Sequence, residues 1–295
     1  MTELAFYIAD AFTDQPFDGA QVAVFPAADA LSDEKKQILA SEINLPLSVF
    51  LAPAEGGYKA RFFTPHRELP FAAQGLVAAG FVLARLGTQE ETWIETKEGK
   101  VLLRFLHREG QLERVALTLT AYPIVEAFAP PIEELAAMLG LKTLHFEIKR
   151  YYPKIAACGR PFLIVPLKSQ QLVRQARFDY SAWAGSAAPM TAAQEILLFS
   201  ARTQAPEADF HARLVGPDIG PKDDPPIGEA IPAFCAYLAS FPELRHGTYA
   251  FTVERGSKES RRSLLYLEMD HKGQDRLEMR IGGQAAISGV GHLFV

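Results

Sequence analysis

The segments YKARFFTP (Tyr58–Pro65) and FHARLVGP (Phe210–Pro217) lie 152 positions apart, and they decide the fold. Three of their eight aligned positions are identical, and three more are apolar in both copies. Each copy is predicted to be a strand that follows another apolar strand, ends at a proline and leads through a proline-containing loop into an apolar helix. Because self-similarity at a fixed offset indicates a duplicated unit, the sequence predicts two similar halves.

The two helices that follow these segments are apolar on every side. The first is predicted over Phe71 to Leu86, where no polar side chain occurs between Gln74 and Arg85. The second is predicted near Glu229 to Phe241. A helix without a polar face belongs inside its domain, and the first of these is too short to cross a bilayer.

Short strands rich in aromatic and β-branched residues surround the two helices. One further helix is predicted from Ser32 to Ile43, with Ser32 as its N-cap and two acids in its first turn. The strands are predicted at 5–11, 21–25, 48–52, 58–63, 101–105, 114–120, 162–166 and 195–199. This alternation indicates an α/β (α+β) protein.

The length of the chain indicates two domains. At 295 residues it exceeds the usual size of one hydrophobic core. The stretch AYPIVEAFAPPIEE, with prolines at 123, 130 and 131, is the best candidate for a linker. We therefore predict an N-terminal repeat domain at 1–124 and a C-terminal repeat domain at 125–277, with the last strand, about 278–295, able to return to the first domain.

Composition and charge exclude several classes of function. Hydrophobic residues make up 48% and charged residues 22%, which is typical of a folded globular chain. The net charge of −5, without a basic and aromatic patch, argues against a nucleic-acid partner. An N-terminus with acids where a signal peptide needs basic residues, and no apolar run of 18, lead us to expect a cytoplasmic protein without membrane association. The two cysteines and seven histidines show no pattern of a metal site.

The N-termini of the two apolar helices are the predicted ligand site. If a pseudo-twofold axis relates the halves, both helices direct free backbone N–H groups and a positive dipole end at the groove between the domains. Such groups attract a carboxylate or phosphate. We therefore expect a small carboxylated metabolite to bind where the helices open, at Pro70–Gly75 and Asp223–Ala230.

Sequence motifs along nearly the whole chain carry a family resemblance. The opening DAFTDQPFDGAQVAVF (Asp10–Phe25) is similar to DAFTxxPFxGNPxAVx, and RFFTP with the following helix is similar to RxFTP and GHAT. PKDDPPIGEA, RGSKESRRS and IGGQA are similar to EDPxTGSA, to a QG-to-GRPS stretch and to VGGxA. On these motifs the chain resembles the phenazine-biosynthesis PhzF-like family of isomerases, relatives of diaminopimelate epimerase.

The resemblance implies a fold and a chemistry. It implies two similar domains, each a barrel-like mixed sheet around one central helix, with the active site between them and a homodimer as the assembly. The implied reaction needs no cofactor. A Glu in an NLSET-type segment removes a proton from carbon and returns it elsewhere, assisted by a His, an Asp and a Ser.

Several of these implied catalytic positions hold other residues in this chain. The NLSET-type segment reads NLPLS, which places Leu47 where the family has its Glu, and Gln74 stands at the His position. A leucine cannot take a proton, and an amide cannot titrate. Asp224 matches the family's Asp, while Glu229 stands at the position of its Ser.

Asp224 and Glu229 are therefore the predicted catalytic residues. They lie five positions apart where the second apolar helix opens. If their carboxylates lie together, repulsion favours one protonated acid beside one ionised base, which is a pair able to shuttle a proton. The alternative is that both are ordinary acids at a helix start, favoured by its dipole.

Binding residues are predicted at the same helix openings, and the alternatives are polar caps and surface residues. Arg61 and Arg213, at equivalent places in the repeat, either pair with acidic substrate groups or lie on strand surfaces. The predicted substrate-binding residues are Ala73, Gln74, Gly75, Gly228 and Ser48. The sequence thus predicts a PhzF-like isomerase or epimerase, with a catalytically silent small-molecule-binding protein of the same fold as the alternative.

Overall fold

The chain divides into two compact units. The computed structural model describes residues 3–88, 91–126, 128–220, 223–257, 260–271 and 276–295. Unit 1 comprises Met1–Leu119, Ser257–Tyr266 and Arg280–Val295, and unit 2 comprises Thr120–Gly256 and Leu267–Met279. Residue 127 of the predicted linker, 221–222 of PKDDPPIGEA and 258–259 of RGSKESRRS lie outside the described residues.

The stretch Ser257–Tyr266 differs from the predicted domain division, because it belongs to unit 1 rather than to the second domain. Hydrogen bonds to the N-terminal segment hold it there. The Leu264 amide donates to the Phe12 carbonyl at 2.8 Å, and the Arg262 carbonyl accepts from the Gly19 amide at 3.0 Å. Pairing between residues so distant in sequence leaves no local pattern that could reveal it.

Unit 1 begins with eight strands and two helices, and the predicted helix from Ser32 is present. The Ser32 hydroxyl accepts from the Lys35 amide at 3.3 Å, and Asn44, in the left-handed conformation, ends the helix. The elements in chain order are β1 Glu3–Ala11, β2 Ala20–Phe25, α1 Asp33–Ile43, β3 Ser48–Ala54, β4 Gly57–Phe63, β5 Glu68–Leu69, α2 Ala73–Arg85, β6 Thr92–Thr96, β7 Gly99–Arg108 and β8 Gln111–Ala121.

Unit 2 repeats the mixture of strands and helices. The last strands of the chain are divided between the two units, since 267–279 belongs to unit 2 while the flanking stretches belong to unit 1. Pro232 lies in the first turn of the second central helix, where its missing N–H costs no hydrogen bond. The elements are β9 Ile124–Glu126, α3 Ile132–Leu139, β10 Lys154–Cys158, β11 Arg160–Pro166, α4 Gln170–Gln175, α5 Tyr180–Ala184, β12 Ile196–Ser200, β13 Phe210–Val215, α6 Ile231–Ala239, β14 Thr248–Ser257, β15 Ser260–His271, β16 Leu277–Gly283 and β17 Ala285–Phe294.

The two units build the same strand topology. In unit 1, β1 pairs antiparallel with β2, β2 parallel with β3, β3 antiparallel with β4, and β4 parallel with β6. In unit 2, β10, β11, β12, β13 and β14 follow the same alternation in the same order. The apolar helix follows the matching strand in each unit, α2 after β4 and the short β5, and α6 after β13. The duplication predicted from the sequence is confirmed.

In unit 1 the strands present one face to α2 and the other to α1. Ala23, Phe25, Phe50 and Phe63 form an apolar cluster with Leu39 and Ala40 of α1. Their neighbours along the strands alternate to the opposite face. There Val49 and Phe62 lie so close to Gly75 of α2 that a Cβ on this glycine would meet them at 2.8 and 2.9 Å. We call this side of the sheet the helix face.

In unit 2 the helix face packs on α6. Phe199 and Phe210 contact Phe234 of α6, with ring centroids 5.0 and 5.3 Å apart. The opposite side of the sheet packs on α3 and α5 through a separate cluster, which includes Leu163, Val165, Ile196, Leu198 and Val215. Both central helices are buried, as predicted. None of the helices in the described residues has the length and apolar character needed to cross a membrane.

Candidate functional site

Gln74 lies at the first turn of α2 and is nearly fully buried. Only 3% of its surface is exposed, and its Oε1 atom has no hydrogen-bond partner among the described residues. Ala72, at the N-cap position, has no side chain able to cap the helix. A buried amide oxygen without a partner costs free energy, which a ligand N–H or O–H donor would recover. Gln74 therefore offers a buried hydrogen-bond acceptor without a titratable group.

Leu47 fills the space beside the opening of α2. It is fully buried, and a Cβ on Gly75 would lie 2.9 Å from its Cδ2 atom. Ala73 is also fully buried at this helix start. The surroundings of Leu47 are consequently apolar and closely packed.

Ser48 lies on the other face of the sheet from Leu47. Its partners in register are Ala23 and Phe63, and both belong to the apolar cluster under α1. The structure thus does not bring Ser48 together with Gln74, because adjacent residues of a strand point to opposite faces. The buried Ser48 hydroxyl has no hydrogen-bond partner among the described residues.

Glu229 lies just before α6 and pairs with an arginine. Its Oε1 atom accepts a hydrogen bond from Nη1 of Arg160 at 3.0 Å. The preceding Gly228 is buried, and Ala230, at the N-cap position, lacks a capping side chain. Glu229 is thus held at the opening of the second central helix by a residue from β11.

Glu195 binds the same arginine. Nη2 of Arg160 donates to Oε1 of Glu195 at 2.8 Å, so the guanidinium joins two carboxylates. The side chains of Glu195 and Glu229 are only 8% and 9% exposed. Burial lowers the pKa of Arg160, but Glu229 and Glu195 raise it by more, so the guanidinium stays charged. We call Arg160, Glu195 and Glu229 the acid–arginine triad.

Asp224 has a different arginine as its partner. Its Oδ2 atom lies 3.4 Å from Nε of Arg255, and its buried Oδ1 atom has no hydrogen-bond partner among the described residues. Glu229 instead pairs with Arg160. Each of the two predicted catalytic carboxylates thus has an arginine within ion-pair distance, and Glu195 shares Arg160 with Glu229.

Backbone pairing shows which residues of the two units correspond. In unit 1 the Ala23 amide donates to the Leu47 carbonyl at 2.9 Å, and in unit 2 the Leu163 amide donates to the Glu195 carbonyl at 3.0 Å. The residues that follow, Ser48 and Ile196, occupy matching positions between a parallel and an antiparallel partner. Glu195 is thus the counterpart of Leu47.

The same correspondence extends to Arg160, which lies three positions before Leu163 as Ala20 lies three before Ala23. Strand alternation puts Arg160 and Glu195 on the helix face, in line with Phe162 and Phe199. The acid–arginine triad therefore occupies in unit 2 the place that apolar Ala20 and Leu47 occupy in unit 1.

Sequence reasoning missed Arg160 and Glu195. A signal was present, since Glu195 directly precedes an apolar strand as Leu47 does, and the repeat offers a way to align these strands. The contact between Arg160 and Glu195 could not be predicted from local sequence patterns. The two residues are 35 positions apart and meet through the parallel pairing of β11 with β12.

The two arginines of the repeated segment have structural partners. Arg61 binds Asp33 through two hydrogen bonds of 3.0 and 2.9 Å and also contacts Glu68. Arg213 donates to main-chain carbonyls, including that of Ala176 at 3.0 Å. These contacts favour the strand-surface interpretation of both arginines.

Asp10 of the DAFT motif also has a structural contact. It is fully buried, accepts a hydrogen bond from the Phe17 amide at 2.8 Å and pairs with Arg261. This contact fixes the turn between β1 and β2. No cluster of three or more His, Cys, Asp or Glu side chains suited to a metal ion occurs in the part of the chain that the structure describes.

Comparison with known proteins places these features in a family. The profile of the phenazine biosynthesis-like proteins, PhzC-PhzF, matches residues 9–291. Trans-2,3-dihydro-3-hydroxyanthranilate isomerase of Pseudomonas aeruginosa is 27% identical over 292 residues, which cover 98% of this chain and 99% of the relative.

Solved structures agree with the expected fold. The PhzF-family phenazine biosynthesis protein of Bacillus anthracis covers 100% of both chains with a TM-score of 0.86 at 22% identity. A hydroxyproline epimerase of Agrobacterium vitis covers 99% of this chain and 91% of its own, with a TM-score of 0.63 at 12% identity. These likenesses confirm the diaminopimelate-epimerase-like fold.

Proposed function

The chain belongs to the phenazine biosynthesis-like protein family, and from this membership we propose that it is an isomerase or epimerase that moves a proton on a small carboxylated metabolite without a cofactor. The observation that carries the proposal is Glu229, a buried carboxylate at the opening of α6, held in place by Arg160. A carboxylate fixed in this way is suited to general acid–base chemistry.

Glu229 and Asp224 have separate roles in this proposal. Glu229 exchanges a proton with a carbon of the substrate, since its position is set by Arg160. Asp224, with one buried oxygen that lacks a partner among the described residues, accepts a hydrogen bond from a substrate hydroxyl or ammonium group. The free N–H groups at the start of α6 receive the substrate carboxylate.

The first probe is trans-2,3-dihydro-3-hydroxyanthranilate, the compound in the name of the Pseudomonas aeruginosa relative. Incubation in heavy water, followed by proton NMR, should show isomerisation or deuterium incorporation at a carbon next to an unsaturated bond or carboxylate. The same assay with a panel of small 2-amino and 2-hydroxy acids covers other substrates of this class.

Glu229→Gln should lower turnover at least about 100-fold, because general acid–base groups contribute roughly that much or more. Glu243→Gln, at an exposed carboxylate of the same unit, is the control and should keep full activity. Unchanged turnover by Glu229→Gln would show that Glu229 does not transfer the proton.

A second function is favoured by one observation in unit 1. Leu47 is buried among apolar side chains, and Gln74 offers an unpartnered amide oxygen but no titratable group. These residues suit a catalytically silent protein that binds a small molecule. Calorimetric binding of a carboxylate from the panel without deuterium incorporation would support this function, and incorporation of deuterium would rule it out.

The family resemblance also leads us to propose a homodimer. Light scattering coupled to size-exclusion chromatography should give twice the mass of the chain. A mass equal to one chain at micromolar concentration would contradict this assembly.

A further inference from the structure

The acid–arginine triad contains a second buried carboxylate, Glu195. The repeat aligns Glu195 with a residue beside the opening of the central helix in unit 1. Glu195 is the counterpart of Leu47, as the matching hydrogen bonds of Ala23 to Leu47 and of Leu163 to Glu195 show. In unit 1 this place lies beside the opening of the central helix, where Leu47 would meet a Cβ on Gly75 at 2.9 Å. In unit 2 Arg160 connects the same place to Glu229, at the opening of α6.

The side chain of Glu195 is built into this position rather than lying on the surface. Its residue exposure is 6%, and its stem packs against Gly216, where a Cβ would lie 3.1 Å from Cγ of Glu195. Arg160 is itself fixed over the ring of Phe162, with its guanidinium carbon 5.3 Å from the ring centroid. The fork of a guanidinium binds two carboxylates in fixed directions, which a lysine ammonium does not.

We propose that Glu195 is a second catalytic residue and works with Glu229 as a two-carboxylate acid–base pair, with Arg160 as the positioning residue. This inference rests on the proposed isomerase function. It assigns both proton-transfer groups to unit 2, where the sequence alone suggested Asp224 as the partner of Glu229.

The proton transfers balance without a redox partner. One carboxylate of the pair is ionised and takes a proton from a substrate carbon, so that a C–H bond breaks, an O–H bond forms and the electron pair stays on the substrate. The other carboxyl group is protonated and gives its proton to a different carbon or to the opposite face of the same carbon. The substrate keeps its formula, and exchange with water returns the pair to its starting protonation.

The two carboxylates have chemically suitable surroundings for these roles. Two carboxyl groups at one place allow one to take a proton from the substrate while the other gives one. Arg160 lies between them with hydrogen bonds of 2.8 and 3.0 Å, so it keeps both oriented in either protonation state of the pair. The positive charge of the Arg160 guanidinium also stabilises negative charge that develops on the substrate during proton removal.

The test compares Glu195→Gln with wild type in heavy water, using as probes the panel of small 2-amino, 2-hydroxy and unsaturated cyclic carboxylic acids. Proton NMR gives the rate of deuterium incorporation at each probe concentration, and hence kcat and KM separately. We expect kcat to fall at least about 100-fold with KM within about threefold of wild type, because a lost general acid or base affects the chemical step.

Two further variants separate catalysis from folding. Glu195→Leu reproduces the side chain found at the corresponding place in unit 1, so it keeps the variant testable if Glu195→Gln fails to fold. Glu254→Gln removes another buried carboxylate of unit 2, one paired with His211 at 3.1 Å, and should retain wild-type kcat per folded molecule. Thermal unfolding of each variant measures the folded fraction.

Each outcome discriminates between the proposals. Suppose that wild type exchanges deuterium and that both Glu195→Gln and Glu195→Leu do so within about threefold of its rate. This result overturns the role of Glu195 and leaves the proposed isomerase function intact. Absence of exchange by wild type with every probe overturns the proposed function, and the inference with it. Loss of exchange in Glu195→Gln but not in Glu254→Gln supports the inference.

Discussion

Single charged residues in this protein owe their behaviour to partners that lie far along the chain. Glu68 accepts hydrogen bonds from Arg61 and Lys97, and Arg61 also binds Asp33 of α1. These contacts of Arg61, Glu68 and Asp33 connect β4, β5 and α1. Arg61 belongs to the repeated segment, and Arg213 at the equivalent place likewise binds within its own unit, to the Ala176 carbonyl.

From the contacts of Glu68 with Arg61 and Lys97 we expect the folded protein to lose stability at acid pH. Burial raises the pKa of Glu68, but hydrogen bonds from Arg61 and Lys97 lower it, and the net shift is below the ordinary 4.5. The folded protein therefore binds fewer protons here than the unfolded chain. The stabilisation is present above about pH 4.5 and is lost as the pH falls through the lower pKa of the folded state.

Urea unfolding of wild type and Glu68→Gln at several pH values checks this expectation. The difference in free energy of unfolding should be largest near pH 6 and should shrink towards pH 3. Glu98→Gln, at an exposed carboxylate, is the control and should match wild type at every pH. A constant difference between wild type and Glu68→Gln would mean that the ion pair is not the source.

At the scale of elements, the close approach of α2 to its sheet depends on Gly75. A Cβ there would lie 2.8 Å from Val49, 2.9 Å from Leu47 and 2.9 Å from Phe62. Gly75→Ala should therefore lower the free energy of unfolding by about 1–3 kcal/mol through overpacking. It should do so although alanine favours helix by about 1 kcal/mol over glycine.

A double-mutant cycle with Leu47→Ala measures this contact. Removing the Leu47 side chain makes room, so Gly75→Ala should cost less in the Leu47→Ala background than in wild type. Gly185→Ala, where the nearest atom to a new Cβ is 3.5 Å away, is the matched control and should change stability by less than about 0.5 kcal/mol. Equal costs of Gly75→Ala in both backgrounds would contradict the assigned packing.

The sequence predicted elements better than it predicted the site, for a physical reason. Ser32 as a cap and the two buried helices follow from local residue patterns, and all are present. Ser48 depends on strand alternation, where a shift of one residue reverses the face, so its grouping with Gln74 did not appear in the structure. Glu195 and Arg160 meet through strand pairing over a long connection, which carries no local signal.

At the scale of the whole molecule, unit 1 is assembled from three separate stretches of chain. Its first strand, β1, pairs antiparallel with both β2 and the last strand, β17. Terminal segments are often dispensable, but one that completes a sheet is not. The C-terminal strand should accordingly be required for the fold of unit 1.

Deletion of 285–295 tests this requirement. Hydrogen–deuterium exchange followed by mass spectrometry should show loss of protection in peptides from β1, whose amides pair with β17 in the intact chain. Peptides from β11, in unit 2, serve as the internal control, because the cluster around Leu163 and Val165 consists of unit 2 residues. Protection of β1 that survives the deletion would contradict this dependence.

The pairing of β1 with β17 also places Glu3 directly opposite Phe294. The first and last described strands therefore end side by side, and a short glycine–serine linker from Val295 to Glu3 would span them. New termini at the exposed turn Glu109–Gly110, between β7 and β8, would yield a circular permutant with every strand pair intact. In that permutant residues 3–109 of unit 1 come after 280–295 in the chain. Unit 2 is therefore synthesised before most of unit 1, which reverses the order in which the two repeats leave the ribosome.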